Sequence, residues 1–274
     1  MRRVLGSRAV FYTVLAVLGL VYAFPLLWMA GSSFKTNSEI FAAPLALPTS
    51  VDFSIWGEAW AVGNLGRYAL NSAIVTAVAV LVILLLAALA AYAFSRFKFG
   101  GRGVLLGLFA FGLLMPIQSY FIAQNSLFEF LDLKDTRLAL IIPYAAMGLS
   151  LAVYLLKVYL DSLPRELFEA ARVDGCSDLR MFNTLVLPLL RPGLATVAIF
   201  SALSAWNEFL LALLYITDDA LKTIPTGLLA FSSRYVTDYQ LLFAALTIIT
   251  LPMVAVYVMF HRQIVAGVTE GSLK

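Results

Sequence analysis

Charge is scarce in this 274-residue chain. Only 13% of it is Asp, Glu, Lys or Arg, while 62% is hydrophobic, against roughly 45–50% apolar residues in soluble domains. That balance excludes an ordinary water-soluble globule and points to lipid as the solvent. There is one cysteine, Cys176, so an intrachain disulfide is impossible. The one histidine, His261, stands beside Arg262 and reads as a residue of the membrane rim rather than a metal ligand. No G-x-x-x-x-G-K-[ST], H-E-x-x-H or G-x-S-x-G occurs. The chain therefore lacks a phosphate-cradling loop of its own and the common hydrolytic constellations, which argues against a membrane enzyme. No basic run is long enough to hold nucleic acid, and no internal repeat or low-complexity tail is visible.

What is present is a series of long runs free of charge. Residues 9–34, 68–95, 103–128, 138–156 and 239–261 contain no Lys, Arg, Asp or Glu, and 192–217 is interrupted only by Glu208. A helix needs about 20 apolar residues to cross some 30 Å of hydrocarbon. The expectation is one all-α domain over 1–274, a polytopic membrane protein with six transmembrane helices and both termini on one side. Segments 1–8, 95–103, 157–191 and 262–274 hold thirteen Lys and Arg, against six in 35–67, 129–137 and 218–238. Basic loops stay in the cytoplasm, so both termini are expected there. The net charge of +3 follows from that bias. Arg2, Arg3 and Arg8 precede the first run, but the run is too long for a signal-peptide core, so a retained span is expected.

Between spans, the pattern is locally informative. Trp56 and Trp60 suggest a short helix on the outer membrane face. The Ala-rich run 68–95 suits close helix packing, and the Gly-rich turn 95–103 makes spans two and three antiparallel neighbours. Pro116 and Pro143 predict kinks, which serve either packing or a pathway.

Segment 157–191 breaks the apolar pattern on the cytoplasmic side. Pro164 suits a first helical position and Gly175 the residue past a helix end. On a 3.6-residue period Leu163, Leu167, Ala170, Ala171 and Asp174 form one stripe, with Arg165, Glu166, Glu169 and Arg172 on the polar side. Two alanines in the middle of a stripe imply a closely approaching neighbour. Ser177 is a candidate N-cap for a second short helix that Pro188 is expected to stop. Such a connector either rests on lipid headgroups or docks on a protein. Residues 161–178 hold five acids and two bases, which favours a protein over an anionic lipid surface.

"EAARVDGCSDLRMFNTLVLPLLRP" resembles the EAA loop of permease subunits in binding-protein-dependent ABC importers. Its fixed positions fall on Glu169, Ala170, Ala171, Asp174, Gly175, Leu187 and Pro188. "SFKTNSEIFAAP", "LMPIQ", "LKDT", "AWNEFLLAL" and "IVAGVTEGSLK" are similar to the carbohydrate branch, in particular the second, maltose-type permease. Cys176 departs from the family's usual Ala. The resemblance implies a sugar importer in which this loop couples to an ATPase. Glu169, Ala170, Ala171, Asp174, Gly175, Leu167 and Arg172 would carry the coupling, and Pro164, Leu187 and Pro188 would shape the loop. It implies as partners a homologous second permease, two copies of a cytoplasmic ATPase that bind ATP and Mg, an extracytoplasmic sugar-binding protein and membrane lipid. No cofactor, metal or nucleic acid is expected on this chain. A secondary transporter, the alternative, would need embedded ion sites and repeated halves. Glu208, near mid-membrane with Trp206 and Asn207, either lines the substrate pathway or hydrogen-bonds a neighbouring span.

Overall fold

A chain with few charges in lipid must satisfy its backbone N–H and C=O groups internally, and the helix does so within one segment. The structure, a computed structural model, describes residues 2–232 and 237–270, with side chains from 11 to 259 inside those ranges. In chain order the helices are α1 (Arg2–Ser32), α2 (Asn37–Ala42), α3 (Ser54–Val62), α4 (Leu65–Arg96), α5 (Arg102–Leu114), α6 (Phe121–Phe130) and α7 (Leu138–Ser162). They continue with α8 (Arg165–Val173), α9 (Asp178–Met181), α10 (Leu187–Trp206), α11 (Leu210–Tyr215), α12 (Ile224–Gly227) and α13 (Tyr239–Glu270). Among the described residues the β structure is an isolated bridge between Ser232 and Thr237, so the all-α expectation holds. His261's side chain and the terminal residues of "IVAGVTEGSLK" lie outside the described set.

Five stretches are long and apolar enough to cross a membrane: Phe11–Ser32, Leu65–Arg96, Leu138–Ser162, Asp178–Trp206 and Tyr239–Met259. Two expected spans differ from the sequence reading. Residues 103–128 are not one helix: α5 stops at Leu114, Met115 and Pro116 are extended with ψ of 116° and 141°, and a 3-10 turn at Ile117–Ser119 leads into α6. Proline disfavours helical backbone in the residue before it and has no N–H to donate, so the expected kink becomes a break. Residues 192–217 are not one helix either. Helical structure starts at Asp178 and ends at Trp206, and Asn207, Glu208 and Phe209 separate it from α11. Pro143, in contrast, lies inside an unbroken α7.

The chain divides into two compact units. One comprises 1–66 and 227–254. Its core joins Ala59 and Leu65 to Phe231, Ala244 and Ala245. Trp56 and Trp60 lie on α3, the short helix the sequence suggested, and Trp56 Nε1 donates to Ser33 Oγ at 3.0 Å. Lys35 is 3% exposed, and its Nζ donates to the carbonyls of Ala43 and Pro44, which close the end of α2. The flank of α1 from Phe11 to Leu27 is apolar and exposed, as a lipid-facing helix is.

The second unit comprises 67–226 and 255–274. Within it α4 and α7 run side by side in the same direction. Val75 and Ala79 share one core with Ala139–Tyr144, and Ile83–Phe94 share another with Ala145–Leu160. Ala79, Ala87, Ala88 and Ala91 are buried, in line with the Ala-rich reading of this span. At Gly148 the approach is close: a Cβ there would lie 2.5 Å from Ile83 Cδ1. Helix α5 joins through Phe94 and Phe109, whose rings are 5.8 Å apart, and through the Tyr154 hydroxyl, which donates to Leu106 O at 2.8 Å.

Candidate functional site

The connector between α7 and α10 is helical almost throughout. Helix α7 continues to Ser162, so the connector begins at Leu163 rather than at 157. Pro164 is the N-cap of α8 and not its first helical residue, because its ψ of 134° is extended. The far end of α8 is closed by a Schellman motif. Gly175 has φ +76°, its N–H donates to Arg172 O, and the Cys176 N–H donates to Ala171 O, both at 3.0 Å. The spacing from Ala171 to Gly175 thus has a backbone cause: the turn needs a positive φ four residues after the alanine whose carbonyl it satisfies. Ser177 caps α9 by accepting the Arg180 N–H. Arg172 and Asp178 are 3.9 Å apart and exposed, a pair that contributes little.

Pro188 does not stop this second helix. It sits in the first turn of α10, and helical structure runs through it from α9 by way of a five-residue π segment, Phe182–Val186. A proline within a helical run leaves a carbonyl one turn earlier without its usual donor, and a local widening accommodates that. Leu187 packs partly against the adjacent core.

The stripe expected on α8 divides in two. Leu163 and Ala171 pack against the spans, together with Phe168, which is 6% exposed. Leu167 is 41% and Val173 87% exposed, and Glu166, Glu169, Ala170, Arg172 and Asp174 are open as well. Phe168 did not stand out in the sequence because it lies off the stripe, although it is the largest apolar side chain of the helix. Two residues of α4 grip the connector, and neither was apparent in the sequence. Arg96 Nη2 donates to Leu160 O at 2.7 Å, and its guanidinium lies 3.5 Å above the Phe168 ring. One turn earlier, the Tyr92 hydroxyl donates to Asp178 O at 3.4 Å, and its ring centroid is 5.5 Å from that of Phe182.

A second region surrounds the break after α10. Glu208 accepts the Tyr144 hydroxyl at 2.8 Å and the N–H groups of Leu211 and Ala212 at 3.0 to 3.2 Å. Its carboxylate therefore satisfies the first turn of α11. A cavity of about 190 Å³ between α4, α7 and α10 is bordered by Glu208, Ser201, Ser204 and the apolar Ile83, Leu151 and Phe200. Of the three residues expected on a pathway only Glu208 borders it, since Trp206 and Asn207 do not, and the Asn207 amide donates back to Leu203 O at 2.8 Å. Among the described residues no group of three or more His, Cys, Asp or Glu is arranged to hold a metal ion.

Fold and connector together define a polytopic helical membrane protein that carries an exposed amphipathic helix on a preformed seat. Residues 7–270 match the family described as binding-protein-dependent transport system inner membrane component, and the chain belongs to it. It is 37% identical over 271 residues to the diacetylchitobiose uptake system permease protein NgcG of Streptomyces coelicolor, covering 97% of this chain and 89% of that one. It is 38% identical to the probable ABC transporter permease protein YurM of Bacillus subtilis, over 92% and 84%. With the trehalose/maltose transport system permease protein MalG of Thermococcus litoralis it shares 32% identity over 94% of each chain. The fold matches a chain in the crystal structure of a bacterial ABC transporter involved in the import of the acidic polysaccharide alginate. The TM-score is 0.81, with 22% identity over 95% of this chain and 96% of that one.

Proposed function

We propose that this chain forms half of the translocation pathway of an ATP-driven importer for a sugar or related carbohydrate, driven through the open face of α8 on the cytoplasmic side. Relatives named for diacetylchitobiose and for trehalose and maltose support the carbohydrate class. In this reading a homologous second permease completes the pathway, two copies of a cytoplasmic ATPase bind ATP and Mg, and an extracytoplasmic binding protein delivers the sugar. This chain holds no nucleotide or metal. Glu208 lines the pathway at the break after α10, and Trp206 and Asn207 form the helix end beside it.

One observation carries the coupling role: α8 is held by Phe168 and Ala171 while Leu167, Glu169, Ala170 and Val173 are exposed on its other side. The small Ala170 admits close approach of a cleft wall, and Glu169 offers a carboxylate to a basic residue beside it. Removing one member of such a buried charge pair costs on the order of 2–5 kcal/mol. Glu169→Lys is expected to insert into the membrane like the wild type, to lose co-purification with the ATPase and to lose sugar uptake. Wild-type uptake by this variant would reject the coupling role.

A further inference from the structure

We propose that the inner end of α4 is the element through which α8 moves the spans, with Arg96 as the positioning residue and Tyr92 as its second point of grip. The inference rests on the coupling role proposed for α8. By sequence the connector is joined only to α7 and α10, so those two helices would be its obvious levers. The contacts give a different linkage. Tyr92 and Arg96 are four residues apart and therefore share one face of α4. Arg96 holds α8 through Phe168 and at the same time holds the last turn of α7 through Leu160 O. Tyr92 holds the start of α9 through Asp178 O and the π segment through Phe182.

The chemistry of Arg96 suits that task. Its planar guanidinium donates along its edge to a carbonyl at a helix C-terminus, where a cation is favoured, while its flat face stacks on an aromatic ring. Side-chain contacts of this kind in a close-packed core transmit displacement, because such packing does not deform continuously. On the other side, Phe168 is the buried anchor of α8 and shares a core with Tyr92, Leu160, Met181 and Phe182. A load on the exposed face of α8 is thereby delivered to α4 as well as to the helices that flank it in sequence. Lysine in place of Arg96 would keep the cation and a donor but lose the stacked plane.

The test uses the complete transporter, with its ATPase and binding protein, reconstituted in lipid vesicles, and reads sugar imported per ATP hydrolysed. In Arg96→Ala the assembled complex is expected to keep hydrolysing ATP while import per ATP falls about tenfold, a size typical of lost coupling between sites. Arg96→Lys is expected to recover part of that ratio. Phe168→Leu, which preserves apolar burial without the ring, is expected to lower the ratio too, and it serves where Arg96→Ala fails to assemble. An unchanged ratio in Arg96→Ala or Phe168→Leu overturns the proposal, as does a fall in uptake and hydrolysis in proportion to the amount of assembled complex. Ala170→Cys, made in a Cys176→Ala background, separates this from the parent reading. If it cross-links to the ATPase while the Arg96 variants retain the wild-type ratio, α8 docks as proposed and only the role of α4 is wrong. If it does not cross-link, the docking itself is wrong.

Discussion

The Tyr144 hydroxyl donates to Glu208 at 2.8 Å, joining the second turn of α7 to the break between α10 and α11. The same carboxylate also caps α11, so one side chain serves two elements. A hydrogen bond to a charged group contributes about 1.5–3 kcal/mol. Tyr144→Phe is expected to lose that order of stability in denaturant unfolding of the detergent-solubilised protein. Glu208→Gln keeps one acceptor oxygen and should cost less than Glu208→Leu, which strands the hydroxyl and both N–H groups. The double variant Tyr144→Phe/Glu208→Leu should be distinctly less damaging than the sum of the two, since both remove the same bond. Additive losses would mean that the two residues act independently.

Glu208 also marks the limit of what the sequence could convey. Absence of charge located the long helices well, because transfer into lipid depends on composition over about twenty residues and little on arrangement. Interruptions at 115–120 and 207–209 were invisible to that measure, since the first carries no charge and the second a single acid, and both are set by local backbone chemistry. In the connector, Pro164 marked the start of α8 one residue too early, whereas Gly175 and Ser177 were readable because their cues are local, a positive φ and a capping hydroxyl. Phe168 was not, and neither were Tyr92 and Arg96. Their significance comes from contacts spanning some sixty to ninety positions of chain, which no helical period encodes.

Close packing of α4 on α7 is testable at Gly148. Replacing a glycine inside a helix by alanine ordinarily gains roughly 1 kcal/mol. Here the new Cβ would lie 2.5 Å from Ile83 Cδ1 and 3.3 Å from Cγ1. The Ile83 side chain must turn toward the cavity it borders, which relieves part of an overpacking cost of about 1–3 kcal/mol, so Gly148→Ala should gain less than that ordinary amount. Ile83→Val deletes the obstructing methyl group. In the Gly148→Ala background it should cost less, or nothing, whereas alone it should cost about 0.5–1.5 kcal/mol. Unfolding curves of the four proteins complete the cycle, and a gain from Gly148→Ala that is as large with Ile83 as in the Ile83→Val background would contradict the packing described.

At Gly175 space is not the issue, since a Cβ there would meet nothing within 4 Å. The constraint is φ of +76°, which costs a residue with a Cβ roughly 1–2 kcal/mol. Gly175→Ala should therefore loosen the end of α8 and weaken co-purification with the ATPase. Gly175→Asn should do so less, because asparagine tolerates this conformation better. Equal effects of the two substitutions would point to a side-chain clash instead.

Asp135 gives the protein a predictable response to acid. It joins the turn before α7 to the segment after α11: its carboxylate accepts the Thr217 hydroxyl at 2.6 Å and the Asp218 N–H at 2.8 Å, and its own N–H donates to Tyr215 O. Burial acts to raise its pKa, but the Thr217 hydroxyl and the N–H groups of 218 and 217 outweigh it and hold the carboxyl below the usual aspartate range. Asp219 is lowered likewise, by hydrogen bonds from Lys222 and from the Tyr68 hydroxyl. A depressed folded-state pKa contributes stability that is fully present above the unfolded value of about 3.9 and is lost as pH falls through the folded value. Thermal stability should thus fall as the pH drops below about 4 in the wild type. Asp135→Asn should start from lower stability at neutral pH and show a shallower acid dependence, and Asp135→Asn/Asp219→Asn a shallower one still. An acid dependence in Asp135→Asn as steep as that of the wild type would exclude this carboxylate as the source.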